Sequence, residues 1–128
     1  MTPFIPNEII LYSGDVPRST AFWEKVLGVT ATETFGDDFS FFAFDGGFML
    51  GIQNKDEISP APQPAWGGFE ICLADTDNET VNRLYTEWKE AGIELLDEPA
   101  DQGFGYTFVA VDPDGHRLRV CATDPSAG

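Results

Sequence analysis

"VDPDGHRLRV", residues 111–120, is the stretch on which the reading of the fold turns. Asp112-Pro113-Asp114-Gly115 is a tight turn by chemistry, because proline presets φ at the second position and glycine suits the fourth. The flanking runs, "GYTFVAV" (105–111) and "HRLRVCA" (116–122), are predicted strands of one hairpin. The two-residue period of a strand then sends Leu118 and Val120 into a core and Arg119 to the other face.

Working back along the chain, "DNETVNRLYTEWKEAG" (77–92) is a helix. Val81, Leu84, Tyr85 and Trp88 form its apolar stripe, Asp77 or Asn78 caps it, and Gly92 stops it. "GFEICLA" (68–74) before it and "IELLDE" (93–98) after it are further strands. The first half has the same order. "EIILYS" (8–13) is a strand, and "PRSTAFWEKVLG" (17–28) is a helix with Pro17 in its first turn, a stripe of Phe22, Trp23, Val26 and Leu27, and Gly28 as its stop. "VTATETF", "DFSFFAF" and "FMLGIQ" are the three strands that follow, the last two joined by a turn at "DGG" (45–47).

One supersecondary unit is thus written twice, as βαβββ–linker–βαβββ. The fold class is α+β, with two βαβββ modules packed as paired curved mixed sheets enclosing a cavity. Module 1 covers about 4–54, a proline-bearing linker about 55–66, and module 2 about 67–124 of a single domain spanning 1–128. Each half alone has too little core to stand by itself.

Composition narrows the function. Apolar residues are 42% of the 128, which suits a globular chain, and no apolar run is long enough to span a bilayer. The formal net charge of −15 repels phosphate backbones, so nucleic acid is excluded as a partner. "MTPFIPNEII" has no basic start or cleavage site of a signal peptide, and a cytoplasmic location is expected. Cys72 and Cys121 lie in apolar strand patterns and are expected to be buried free thiols. Ser13, Ser19 and Ser40 have no histidine by motif, and no phosphate-binding glycine loop is present, so nucleophilic and phosphoryl chemistry find no constellation.

The repeat, with "GDVPRSTAFWEKVLG" (14–28) and "DPDGHRLRV" (112–120), resembles the vicinal oxygen chelate superfamily. That group holds glyoxalase I, extradiol dioxygenases, and fosfomycin and bleomycin resistance proteins. "YTEW", "FGYTF" and "DPDGHRLRVC" bring it nearest to the phenazine-antibiotic resistance type of binding protein. In metal-dependent members four strands each give one ligand. Carried over position by position, those places fall on Glu8, Leu50, Phe69 (or Glu70) and Arg119. Leucine and phenylalanine offer no lone pair and arginine stays cationic, so neither a metal nor any other cofactor is expected. Arg119 is expected to pair with Glu8 where the metal would sit, or to take a ligand carboxylate in its fork.

The aromatic share, 13%, is high for this size. Phe39 and Phe41 share one strand face, and Phe42 and Phe44 the other. Phe48, Leu50 and Ile52 are expected to continue a cavity wall that Trp66, Phe104 and Tyr106 cover. The expected ligand-binding set is Glu8, Phe41, Phe48, Leu50, Ile52, Gln53, Trp66, Phe69, Phe104, Tyr106 and Arg119. Flat aromatic walls favour a planar aromatic small molecule. The expected function is metal-independent binding or sequestration of such a molecule, as in antibiotic resistance. The alternative is a glyoxalase- or dioxygenase-like enzyme with a non-standard site. The resemblance also implies a homodimer.

Overall fold

The computed structural model describes residues 3, 5–59, 61–62 and 69–124. Contacts divide the chain into two compact units, 1–64 and 65–128, and among the described residues each has one helix on one face of a mixed sheet.

In the first unit, β1 (Glu8–Ser13) is followed by α1 (Val16–Leu27), β2 (Glu33–Phe35), β3 (Phe39–Ala43) and β4 (Met49–Asn54). The sheet order is β1-β4-β3-β2, with β1 and β4 parallel and the other pairs antiparallel. The side chain of Asp15 accepts the Arg18 N–H at 3.1 Å to start α1, and Gly28, at φ 73°, ends it by donating to Glu24 O. The buried line of α1 is Val16, Ser19, Thr20 and Trp23. The sequence places the stripe one turn later, on apolar residues alone, because it does not value small hydroxyl side chains as core. Thr20 Oγ1 accounts for part of the shift: it donates to Val16 O and shares a 2.7 Å hydrogen bond with Ser40 Oγ on β3, so burial costs these two hydroxyls little, whereas the buried Ser19 Oγ finds no partner among the described residues. Phe42, Leu50, Ile52 and Leu11 complete this core.

In the second unit, β5 (Glu70–Leu73) leads to α2 (Asn78–Glu90), β6 (Glu94–Leu95), β7 (Ala100–Asp101), β8 (Gly105–Val111) and β9 (Arg117–Thr123). The sheet order is β5-β9-β8-β6, with β7 also paired to β8, and β5 runs parallel to β9. Asp77 caps α2 by accepting the Thr80 N–H at 2.7 Å. Tyr85 and Trp88 meet Phe108 edge-on, at 5.4 and 5.5 Å between ring centroids, over Val81, Leu118 and Val120. "IELLDE" forms only two strand residues where a full strand is expected. After Leu95 the Asp97 side chain, not a backbone carbonyl, accepts the Val109 N–H at 2.8 Å, so the chain bulges before β7 rejoins β8.

The final hairpin is locked from inside. Asp112 Oδ1 accepts the Asp114 and His116 backbone N–H groups, and Oδ2 lies 2.8 Å from His116 Nδ1. Gly115 holds φ 91°, which a side chain would resist. This turn fixes the strand register, Val109 opposite Arg119 and Val111 opposite Arg117. No helix among the described residues is long and apolar enough to cross a membrane.

Candidate functional site

Strand parity decides which side chains can act together. On β9, Leu118 and Val120 face α2, and Arg117 and Arg119 face the other way. On the same face stand Glu70 and Cys72 of β5, which pair with Arg117 and Arg119, and Thr107 and Val109 of β8. Glu70, held open as the alternative to Phe69 from sequence, is therefore the residue beside Arg119. Phe69 belongs to the opposite parity, is exposed, and lies 6.0 Å from the His116 ring.

Arg119 is held on three sides. Its Nε donates to Glu70 Oε1 at 2.9 Å, its Nη2 to Glu70 Oε2 at 3.1 Å, and its Nη1 to Thr107 Oγ1 at 3.2 Å. The Phe104 ring lies over the guanidinium, 5.4 Å from Cζ to the ring centroid. The hydrogen bond from Arg119 holds the Glu70 carboxyl below the usual carboxylate range, against desolvation, with help from the charges of Arg119 and Arg117. From sequence, Glu8 or a ligand carboxylate is the expected partner of Arg119. Glu70 takes that place because its parallel strand puts a carboxylate beside the fork at bidentate range.

Arg119 also lines a pocket of about 320 Å³. Leu96, Val109 and Phe104 give it apolar walls, Asp97 and Gln102 stand among them, and Arg117 and Arg119 supply positive charge. Of these, the sequence singles out Phe104 and Arg119. Arg117 and Val109 were readable by counting two residues back from Arg119 and across the hairpin. Leu96, Asp97 and Gln102 were not, since the bulge that brings them there leaves no periodic signal. Tyr106 has the wrong parity for this wall: it lies on the α2 side, with its hydroxyl donating to Asn82 Oδ1 at 2.6 Å. Cys72 is exposed rather than buried, because β5 is an edge strand of its sheet; Cys121, on the same face but on the inner strand β9, is buried.

In the first unit the same parity rule applies. Leu50 and Ile52 are 3% and 0% exposed and belong to the α1 side, so they do not continue an aromatic wall. The face opposite α1 carries Glu8, Phe39, Phe41, Gly51 and Gln53. Phe35, Phe39 and Phe41 pack ring to ring at 6.2–6.4 Å between centroids. Glu8 lies over Gly51, where a Cβ would come within 3.1 Å of Glu8 Oε2 and of the Phe39 ring. Phe48 stacks on Phe44 at 6.4 Å. Trp66 lies outside the described residues.

These residues do not fit the divalent metal that the vicinal oxygen chelate pattern implies. Leu50 points into a core, Arg119 is a cation, and both carboxylate oxygens of Glu70 are already engaged. Among the described residues, no group of three or more His, Cys, Asp or Glu side chains is placed to hold a metal ion.

Residues 5–120 match the model of the glyoxalase/bleomycin resistance protein/dioxygenase superfamily. The phenazine antibiotic resistance protein EhpR of Enterobacter agglomerans is 32% identical over 125 residues, 93% of this chain and 92% of that protein. The glutathione transferase FosA of Serratia marcescens is 22% identical over 89% of this chain and 77% of its own length. A solution structure of an Agrobacterium tumefaciens protein superimposes with a TM-score of 0.83 at 36% identity, covering 95% of this chain and 99% of that one.

Proposed function

The chain belongs to the glyoxalase/bleomycin resistance protein/dioxygenase superfamily, and from that premise we propose that it binds and sequesters a planar aromatic small molecule, without a metal ion and without chemical turnover. The observation that carries this reading is Arg119. Its guanidinium stands at a position where the family resemblance implies a metal ligand, is tied to Glu70, and carries the Phe104 ring at a pocket lined by both apolar and charged side chains. A flat ligand sliding between Leu96, Val109 and Phe104 gains burial and offset stacking, which reward shape more than any one functional group. The resemblance to EhpR supports a resistance-like role and points to phenazines as first probes.

A homodimer is the assembly we assign to this reading. Ile10, Tyr12 and Phe35 are 43–52% exposed, and a second copy that covered them would bury this apolar surface.

Calorimetric titration with phenazine tests the proposal. One molecule should bind per chain, and mass spectrometry should recover it unchanged. Phe104→Ala should weaken binding about fivefold through lost stacking. A recovered molecule of altered mass would favour the enzyme reading. Light scattering should give twice the chain mass.

A further inference from the structure

The two arginines on β9 share one face of the sheet and line one pocket, yet they are in different states. Arg119 spends three of its donor groups on Glu70 and Thr107. Arg117, two residues earlier, makes no hydrogen bond or ion pair to any described residue and is exposed. Its register partner across the parallel pair is Glu70, but the Glu70 carboxylate is turned to Arg119. Arg117 reaches Glu70 only as a more distant charge that helps to keep that carboxyl ionised.

An arginine fork has five N–H donors in one plane and is matched best by an anion that accepts two of them. Arg18 and Arg83 also form no ion pair among the described residues, but of these three arginines only Arg117 lines the pocket. Arg117 shares the lining of that pocket with Phe104, Leu96 and Val109. We propose that Arg117, rather than Arg119, is the anion-recognising residue of this pocket, and that the ligand is a planar aromatic acid. Its ring lies along Leu96, Val109 and Phe104 and its carboxylate docks on the Arg117 fork. This rests on the planar-aromatic reading above and adds a charge to it.

Arg119 then serves as a positioning residue. Neutralised by Glu70, it supports Phe104 without competing for the anion. Asp97 works against the ligand: it lines the same pocket, and its Oδ1 is held by the Val109 N–H, so its negative charge is fixed there. Arg117 thus favours a carboxylate at its own side of the pocket, and Asp97 disfavours one beside itself.

The test titrates full-length protein with two probes of the same ring, phenazine carboxylate and uncharged phenazine. Arg117→Ala should weaken the carboxylate about ten- to thirtyfold and leave phenazine within about twofold. Arg117→Lys should restore only part of the loss, because the fork is gone. Asp97→Asn, which keeps the acceptor for Val109 N–H, should tighten the carboxylate about threefold and leave phenazine unchanged. Unaltered melting of each variant excludes a folding defect. Carboxylate binding that survives Arg117→Ala intact would overturn the assignment and leave the aromatic reading standing. Wild-type protein that binds neither probe would overturn both.

Discussion

The two units answer the same geometric problem with opposite materials. In each, a glutamate opens the first strand, and the last strand runs parallel beside it. Register makes Glu8 the counterpart of Glu70 and Gly51 the counterpart of Arg119. On the neighbouring strand, Phe39 and Phe41 correspond to Thr107 and Val109. The first unit therefore places no side chain at the central position and fills the space with rings and the Glu8 carboxylate. The second places a long cation there and keeps its neighbours small. Rings fill the central space in one unit and an ion pair in the other, so equivalent places on one scaffold carry different chemistry.

If volume is the shared constraint, enlarging the second unit's small neighbour should be the most damaging change. Thr107 is fully buried, donates to Val120 O at 2.7 Å, and accepts from Arg119. Thr107→Phe should lose both bonds and overpack the site, costing about 3 kcal/mol in denaturant unfolding. Thr107→Ser, which keeps the hydroxyl, should cost well under half of that. A tolerated Thr107→Phe would break the comparison.

The hairpins sharpen it. The first unit closes its "DGG" turn with a backbone bond from Phe44 to Phe48 and the stacking of those rings, which hold no charge. The second uses the buried Asp112 carboxylate against His116, whose hydrogen bond raises the His116 pKa despite the opposing effect of burial. A raised folded-state pKa contributes stability that is complete below the unfolded value near 6.5 and lost as pH rises through the folded value. His116→Ala should thus cost about 2 kcal/mol at pH 5.5 and markedly less at pH 9. A loss independent of pH would place the role of His116 in packing alone.

Gly51→Ala sets a Cβ against the far ends of two side chains, Glu8 and Phe39, both able to yield. It should cost about 1 kcal/mol, and pairing it with Phe39→Leu should recover most of that. Additive losses would mean that ring and glycine do not share the space. The smallest effect is expected at Glu70→Gln. Its lowered pKa adds stability above the unfolded carboxylate range, lost as pH falls through the folded value. The pair is partly exposed and screened, so the cost at pH 7 should stay under about 1 kcal/mol and fade as pH falls through the folded value.

The sequence carried the duplicated order, both helices, the closing hairpin and the parity of Arg119 clearly, because periodicity and turn chemistry are local. It misread the wall of the first unit. Leu50 and Ile52 belong to a run buried on both sides of the strand, "LGI", which has no alternation to show which residues face the helix. It also misassigned the partner of Arg119, since which carboxylate lies within bidentate reach depends on parallel pairing between distant strands. The free state of Arg117 is equally tertiary: two arginines of one period read alike until Glu70 is seen to choose between them.

The central claim is that an arginine–glutamate pair and an aromatic platform replace metal chemistry in this chain. Titration of phenazine carboxylate into EDTA-treated protein, repeated with Mn²⁺, Ni²⁺ or Zn²⁺ added, tests it most directly. The account predicts dissociation constants equal within about twofold in every condition. Binding that appears only with a divalent ion, and is lost again on chelation, would contradict it.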